Sequence, residues 1–70
     1  MPKIAAHVTG TVARIEKRAG DRVEPGEVVL VLESMKMEMP LESEASGTVR
    51  QVLCQEGQSV AEGDVLLVIG

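Results

Sequence analysis

The sequence predicts an all-β protein in which two four-stranded antiparallel sheets form a flattened β-barrel with pseudo-twofold symmetry. Three observations support this prediction. The core must be built without Phe, Tyr or Trp, and valine is the commonest apolar residue. Valine favours strands, because its branched Cβ restricts the side-chain rotamer in a helix. Short apolar runs are separated by glycine turns, and no segment shows a helical period. The second half of the chain repeats the first.

The repeat relates residues 10–33 to residues 47–70 by a shift of 37 positions, with nine identities among 24 aligned positions. Three glycines and six aliphatic or hydroxyl side chains are shared, beginning with the Gly-Thr-Val segments at Gly10 and Gly47. Two like halves, each of about four short strands, should pack as two sheets related by a pseudo-twofold axis. We therefore expect one domain spanning residues 1–70.

Each half has the same predicted order of elements. A strand starts at Gly-Thr-Val, a glycine turn follows, then a short strand around a valine, a second glycine turn and an apolar strand. In the first half the second turn is Glu-Pro-Gly-Glu at residues 24–27, and Pro followed by Gly is typical of a type II turn. The apolar strands at 28–32 and 65–69 do not alternate with polar residues, which predicts burial on both faces.

Between the halves, strands at 28–32 and 39–41 should form a hairpin with Lys36 at or beside its turn. Tight hairpin turns favour glycine or asparagine because their backbone needs positive φ, and neither residue is present here. A turn made of Met35 and Lys36 should therefore be strained, and departures from local turn chemistry often mark functional sites. The repeat places this hairpin opposite the chain termini.

The charge pattern excludes several classes of partner. The net charge is −4, and carboxylates surround the central lysine at Glu33, Glu38, Glu42 and Glu44 without any basic cluster. Nucleic acids and anionic membranes are poor partners for such a surface. The sequence has no signal peptide and no apolar run long enough to cross a bilayer, so we expect a cytoplasmic protein.

Single cysteine and histidine residues argue against a metal site and against catalysis by the domain itself. Cys54 excludes an internal disulfide, and one Cys with one His cannot form the usual structural zinc site. We expect Cys54 to be half-buried in the strand that begins at Gly47, and His7 to be solvated in an edge strand. No nucleophile, base and orienting group can be assembled from these residues.

The segment Glu33-Ser34-Met35-Lys36-Met37 resembles the Glu-Ala-Met-Lys-Met attachment motif of biotinyl domains, the biotin carboxyl carrier family. The resemblance covers nearly the whole chain, because the glycine turns and duplicated halves also match the biotinyl/lipoyl barrel-sandwich hybrid fold. It departs from the family pattern at Ser34, where alanine is commoner. Methionines exposed beside a turn lysine are suited to being gripped by another protein.

The resemblance implies that a biotin protein ligase attaches biotin to Lys36. The domain would then carry a carboxyl group from a biotin carboxylase to a carboxyltransferase, without catalytic groups of its own, and acetyl-CoA carboxylase is the first choice among acyl-CoA carboxylases. The residues that contact the ligase or carboxylase would be Met35 and Met37, with further determinants at Glu33, Ser34 and Glu38. No segment between Gly10 and Gly26 is long enough for the protruding thumb of some bacterial carriers.

Two other functions remain open from the sequence. A lipoyl carrier domain of a dehydrogenase or glycine-cleavage complex would share the fold, although such domains usually carry Asp-Lys-Ala or a similar triplet at the hairpin. An unmodified structural module of the same fold is the second alternative, in which the Met-Lys-Met hairpin would have no role.

Overall fold

The computed structural model describes all 70 residues, Met1–Gly70, and contains eight strands and no helix. The strands are β1 (Lys3–Ala5), β2 (Gly10–Ile15), β3 (Arg22–Val23), β4 (Val28–Ser34), β5 (Met37–Glu42), β6 (Gly47–Val52), β7 (Ser59–Val60) and β8 (Val65–Ile69). No helix exists that could span a membrane.

The strands form two four-stranded sheets, in the orders β1-β8-β6-β3 and β5-β4-β2-β7, and every pairing is antiparallel. The predicted fold class is therefore confirmed. Each sheet takes two strands from each half of the chain, so neither half forms a sheet alone. Because every sheet needs both halves, neither half can complete its hydrogen bonding without the other.

The twofold relation extends to the backbone hydrogen bonds. Strand registers in one sheet are repeated in the other after a shift of 37 residues, including the positions of the irregularities. Gly20 N–H donates to the Val49 carbonyl at 2.8 Å, and its counterpart Gly57 N–H donates to the Val12 carbonyl at 2.7 Å. The symmetry counterpart of the β4–β5 hairpin is the pair of chain ends at β8 and β1.

A single aliphatic cluster fills the space between the sheets, and it includes Cys54. The predicted burial of β4 on both faces is confirmed from Val29 through Leu32. For β8 the same prediction holds only in part, because Val65 is 37% exposed and Val68 is half-buried. Val65 pairs with Ala5, whose single methyl group covers little of it.

The sequence predictions for His7 and Cys54 are wrong about where each residue lies relative to the strands. His7 is exposed, as expected, but it lies in a bend after β1 rather than in an edge strand. Cys54 lies two residues beyond the end of β6 and is buried rather than half-buried. The chain turns inward there, with Leu53 N–H bonded to the Leu66 carbonyl, and desolvation in the core raises the pKa of the Cys54 thiol.

The predicted glycine turns are confirmed by their backbone. Gly26 has φ +89° and its counterpart Gly63 has φ +94°, values that side-chain-bearing residues rarely adopt. Glu27 N–H donates to the Glu24 carbonyl at 3.1 Å across the first turn, as a type II turn with Gly at its third position requires.

The Glu27 side chain closes the same turn and ties it to Lys17. One carboxylate oxygen accepts the Glu24 N–H at 2.8 Å, and the other lies 3.3 Å from the Lys17 ammonium. The backbone hydrogen bond first, and then Lys17, hold the pKa of Glu27 below its ordinary value.

We expect Glu27 to contribute to acid sensitivity. Because its pKa is lowered in the folded state, its stabilising effect is complete above the unfolded pKa near 4.5 and is lost as pH falls through the folded pKa. Glu27→Gln should flatten the decline of melting temperature below that pH, measured by thermal unfolding from about pH 6 to about pH 2. Lys17→Gln should flatten it only in part, since the backbone hydrogen bond remains. Equal slopes for wild type and Glu27→Gln would contradict this assignment.

Candidate functional site

The β4–β5 hairpin contains all six residues that the sequence marks as site candidates. Ser34 pairs with Met37, so the loop consists of Met35 and Lys36 alone. Met35 has φ +54° and Lys36 has φ +65°, the signs that a type I′ hairpin turn requires at both positions. The predicted strained turn is confirmed, and left-handed backbone at a residue with a side chain costs about 1–2 kcal/mol.

The strands below the turn hold it in this conformation. β4 lies between β5 and β2 in the middle of its sheet, and Leu30 and Leu32 are completely buried in the core. β5 pairs with β4 along its whole length, with Val31 opposite Pro40. A two-residue turn between strands fixed in register has little freedom to relax its backbone.

The side chains at the turn project into solvent. Met35 is 91% exposed, Met37 is 61% exposed, and Lys36 is also exposed and takes part in none of the ion pairs of the domain. Large exposed apolar side chains contribute nothing to the core, and flexible polarizable methionines are suited to contact with another protein. The amine of Lys36 is therefore open to an external reagent and flanked by apolar contact surface.

Two carboxylates face each other at the base of the hairpin. Glu33 is paired directly with Glu38 across β4 and β5, an arrangement that is destabilising for like charges. Arg14 on β2 reaches across β4 and lies 3.5 Å from the Glu38 carboxylate. Because both side chains are about half exposed, this ion pair contributes at most about 1 kcal/mol. Glu33 has no such partner.

Gly10 packs beneath the hairpin on the side of β2. A Cβ added at Gly10 would overlap the Glu33 carbonyl oxygen and lie 3.3 Å from the Ser34 Cβ. From the sequence, Gly10 was interpreted only as the start of the repeat. A signal was available, because glycine at a strand position often marks a close approach of another backbone. No local sequence motif predicts the contact of Arg14 with Glu38. That contact follows only from the register of β2 on β4.

His7 lies apart from the hairpin. It lines a groove of about 250 Å³ between the edge strands β1 and β5, with Lys3, Glu42 and Glu44 among the other lining residues. No group of three or more His, Cys, Asp or Glu side chains is arranged to hold a metal ion.

The hairpin contains one candidate nucleophile, the Lys36 amine. The Lys36 amine must lose a proton before it can attack an acyl group, and the hairpin offers no histidine or cysteine to accept that proton.

Comparison with known proteins gives this arrangement a family. The sequence model of a biotin/lipoyl protein family described as "Biotin-requiring enzyme" matches residues 1–69. The chain belongs to this biotin/lipoyl attachment family. A biotin/lipoyl attachment protein of Bacillus subtilis is 44% identical over 64 residues, which are 91% of this chain and 88% of that protein.

Solved structures of both branches of the biotin/lipoyl family resemble this domain. The urea carboxylase of Kluyveromyces lactis superposes with a TM-score of 0.92 and 33% identity over 99% of this chain, which corresponds to 6% of that much longer protein. The lipoyl domain of the 2-oxoglutarate dehydrogenase complex from Azotobacter vinelandii superposes with a TM-score of 0.74 and 28% identity over 96% of this chain and 98% of that domain. This biotin/lipoyl domain is thus close to the biotinyl domains of carboxylases.

Proposed function

We propose that Lys36 carries covalently attached biotin and that this domain is the mobile carboxyl carrier of a biotin-dependent carboxylase. The observation that carries the proposal is the exposed Met35-Lys36-Met37 tip on a strained two-residue turn. The site fits an attached biotin, because the Lys36 amine is free of ion pairs and no side chain covers it.

The attachment step uses one group of this chain, the Lys36 amine. A biotin protein ligase would present biotinyl-adenylate, and the deprotonated amine would attack its acyl carbon. An amide bond forms, the bond from the acyl carbon to the phosphate oxygen breaks, and AMP leaves. Lys36 loses its positive charge in this step, which leaves the net charge of the hairpin more negative.

After attachment, the domain would carry the attached group between active sites and would not catalyse the reactions itself. Lys36 would hold the biotin, which would supply the chemistry of carboxyl-group transfer between two enzymes. A tethered group is presented at high effective concentration to both sites, and the hairpin, which holds no catalytic base, leaves the chemistry to the partners. The partners we propose are a biotin carboxylase and a carboxyltransferase in the cytoplasm, with an acyl-CoA as acceptor and acetyl-CoA the first to test.

Recognition by these partners is assigned to the side chains around the lysine. Met35 and Met37 would provide the apolar contacts, since they are the most exposed apolar side chains near Lys36. The adjoining Glu33, Ser34 and Glu38 would add polar contacts at the rim, where charges affect association rate more than affinity.

A lipoyl carrier is the second candidate function. The superposition on the Azotobacter lipoyl domain over nearly all of both chains favours it, and a lipoyl group would use the same lysine. The Met-Lys-Met tip and the higher TM-score with the carboxylase domain support biotin instead.

The carrier function can be tested with labelled bicarbonate. The biotinylated domain, incubated with a biotin carboxylase, MgATP and labelled bicarbonate, should acquire label and pass it to acetyl-CoA when a carboxyltransferase is added. Met35→Glu should raise the KM of the ligase or the carboxylase for the domain, whereas Met1→Glu, the same change at another largely exposed methionine outside the hairpin, should not. A fully biotinylated domain that acquires no label would contradict the carrier function.

A further inference from the structure

We propose that Gly10 is a positioning residue for Lys36, because its lack of a side chain lets β2 lie against the base of the hairpin and sets the direction in which the turn points. This inference rests on the proposed function of Lys36 as the modified residue. It concerns a residue 26 positions earlier in the sequence, outside the attachment motif.

The contact is between the backbones of two strands. The space where a Gly10 Cβ would lie is occupied by the carbonyl group of Glu33, with the Ser34 Cβ 3.3 Å away. Glu33 and Ser34 are the last two residues of β4 before the Met35–Lys36 turn. Any side chain at Gly10 therefore pushes on the two residues from which the turn starts.

The hairpin, rather than β2, should give way to that push. Gly10 pairs with Val60 of β7. Val12 is held by two hydrogen bonds to the segment before β7, since its N–H donates to the Gln58 carbonyl at 2.9 Å and its carbonyl accepts from Gly57 N–H at 2.7 Å. The β4–β5 register fixes the conformation of the turn itself, but nothing packs above the turn, because its side chains are exposed, so the turn can be displaced as a unit. Displacement should thus be transmitted to Met35 and Lys36.

The direction of the turn matters because the modification occurs in another protein's active site. The Lys36 amine must reach the acyl carbon while the flanking methionines occupy fixed contact positions. Misplacing a reacting group by about 1 Å can slow a reaction by about 100-fold. We expect Gly10→Ala to lower kcat/KM for modification by about 10- to 100-fold.

Packing symmetry provides the competing explanation for Gly10. Its counterpart Gly47 also has a close approach, although a less severe one, where a Cβ would lie 2.9 Å from both the Gly70 carbonyl oxygen and the Ile69 Cγ2. Glycine at both positions therefore contributes to stability, and a loss of stability alone says nothing about positioning. Only the Gly10 contact reaches the residues that precede the lysine.

The test compares Gly10→Ala with Gly63→Ala and wild type. Gly63→Ala also lowers stability, through its positive φ, but the added Cβ meets no atom within 4 Å and the hairpin is untouched. All three proteins are assayed for biotin protein ligase kcat/KM at low temperature in sucrose, which favours the folded state, with folding checked by circular dichroism. Amide NMR shifts of Met35 and Lys36 are recorded in parallel.

Gly10→Ala should be modified slowly and should shift both amides, while Gly63→Ala should match wild type in both respects. The positioning role would be overturned if the kcat/KM of folded Gly10→Ala were within twofold of that of Gly63→Ala. Unchanged amide NMR shifts of Met35 and Lys36 would also overturn it. Failure of wild type to accept biotin would instead overturn the proposed function, and the NMR comparison would still decide whether Gly10 sets the turn.

Discussion

Replacing Lys36 by arginine is expected to abolish covalent modification and leave the fold intact. The guanidinium stays protonated at any accessible pH and cannot act as the acyl acceptor. The Lys36 side chain is exposed and makes no ion pair. The free energy of unfolding should therefore change by no more than about 0.5 kcal/mol. Intact mass spectrometry after incubation with ATP, biotin and a biotin protein ligase measures the modification directly.

A matched control for this variant is Lys3→Arg, which makes the same change at another exposed lysine. It should be modified at the wild-type rate. A Lys36→Arg protein that still gains biotin would show that a different amine is the attachment site, and the functional assignment of the hairpin would then be wrong.

Replacing Gly63 by valine is expected to have the largest effect on stability. Gly63 has φ +94°, which is unfavourable for a β-branched residue. Because a Cβ there would meet nothing within 4 Å, the cost comes from the backbone alone. We expect a loss of about 2 kcal/mol, which corresponds to a melting temperature lower by roughly 8–16 °C in a domain of this size.

Two further variants separate backbone strain from other causes. Gly63→Asn should lose much less stability, since asparagine tolerates left-handed backbone better than other side chains. Gly26→Val, at the equivalent turn of the first half, should resemble Gly63→Val because Gly26 has φ +89° and equally open surroundings. Unchanged melting of Gly63→Val would contradict the turn assignment.

The fold could be predicted from the sequence because its strongest constraints are local and occur twice. The glycines that need positive φ and the apolar runs that need burial mark the same elements in each half. The strained turn at Met35 and Lys36 was predictable for the opposite reason, since two clear strands flank a pair of residues without turn chemistry. The interleaving of the halves within each sheet was missed, because strand pairing between distant segments leaves no local pattern.

The parts of the site that the sequence did not reveal depend on register. Arg14 reaches Glu38, and Gly10 lies under Glu33, only because β2 pairs with β4 at one particular offset with an irregularity between Val12 and Arg14. A shift of one residue would turn each side chain to the other face. Cys54 was misplaced for a similar reason, since its burial depends on where β6 ends.

The central claim, that Lys36 is a biotin attachment site, is tested most directly by intact mass spectrometry of wild type incubated separately with two ligase systems. One contains ATP, biotin and a biotin protein ligase, and the other contains ATP, lipoate and a lipoate ligase, with fragmentation to locate the added group. We predict one biotinyl group, located on Lys36. Addition of lipoate alone, or of neither group by ligases active on control substrates, would contradict it.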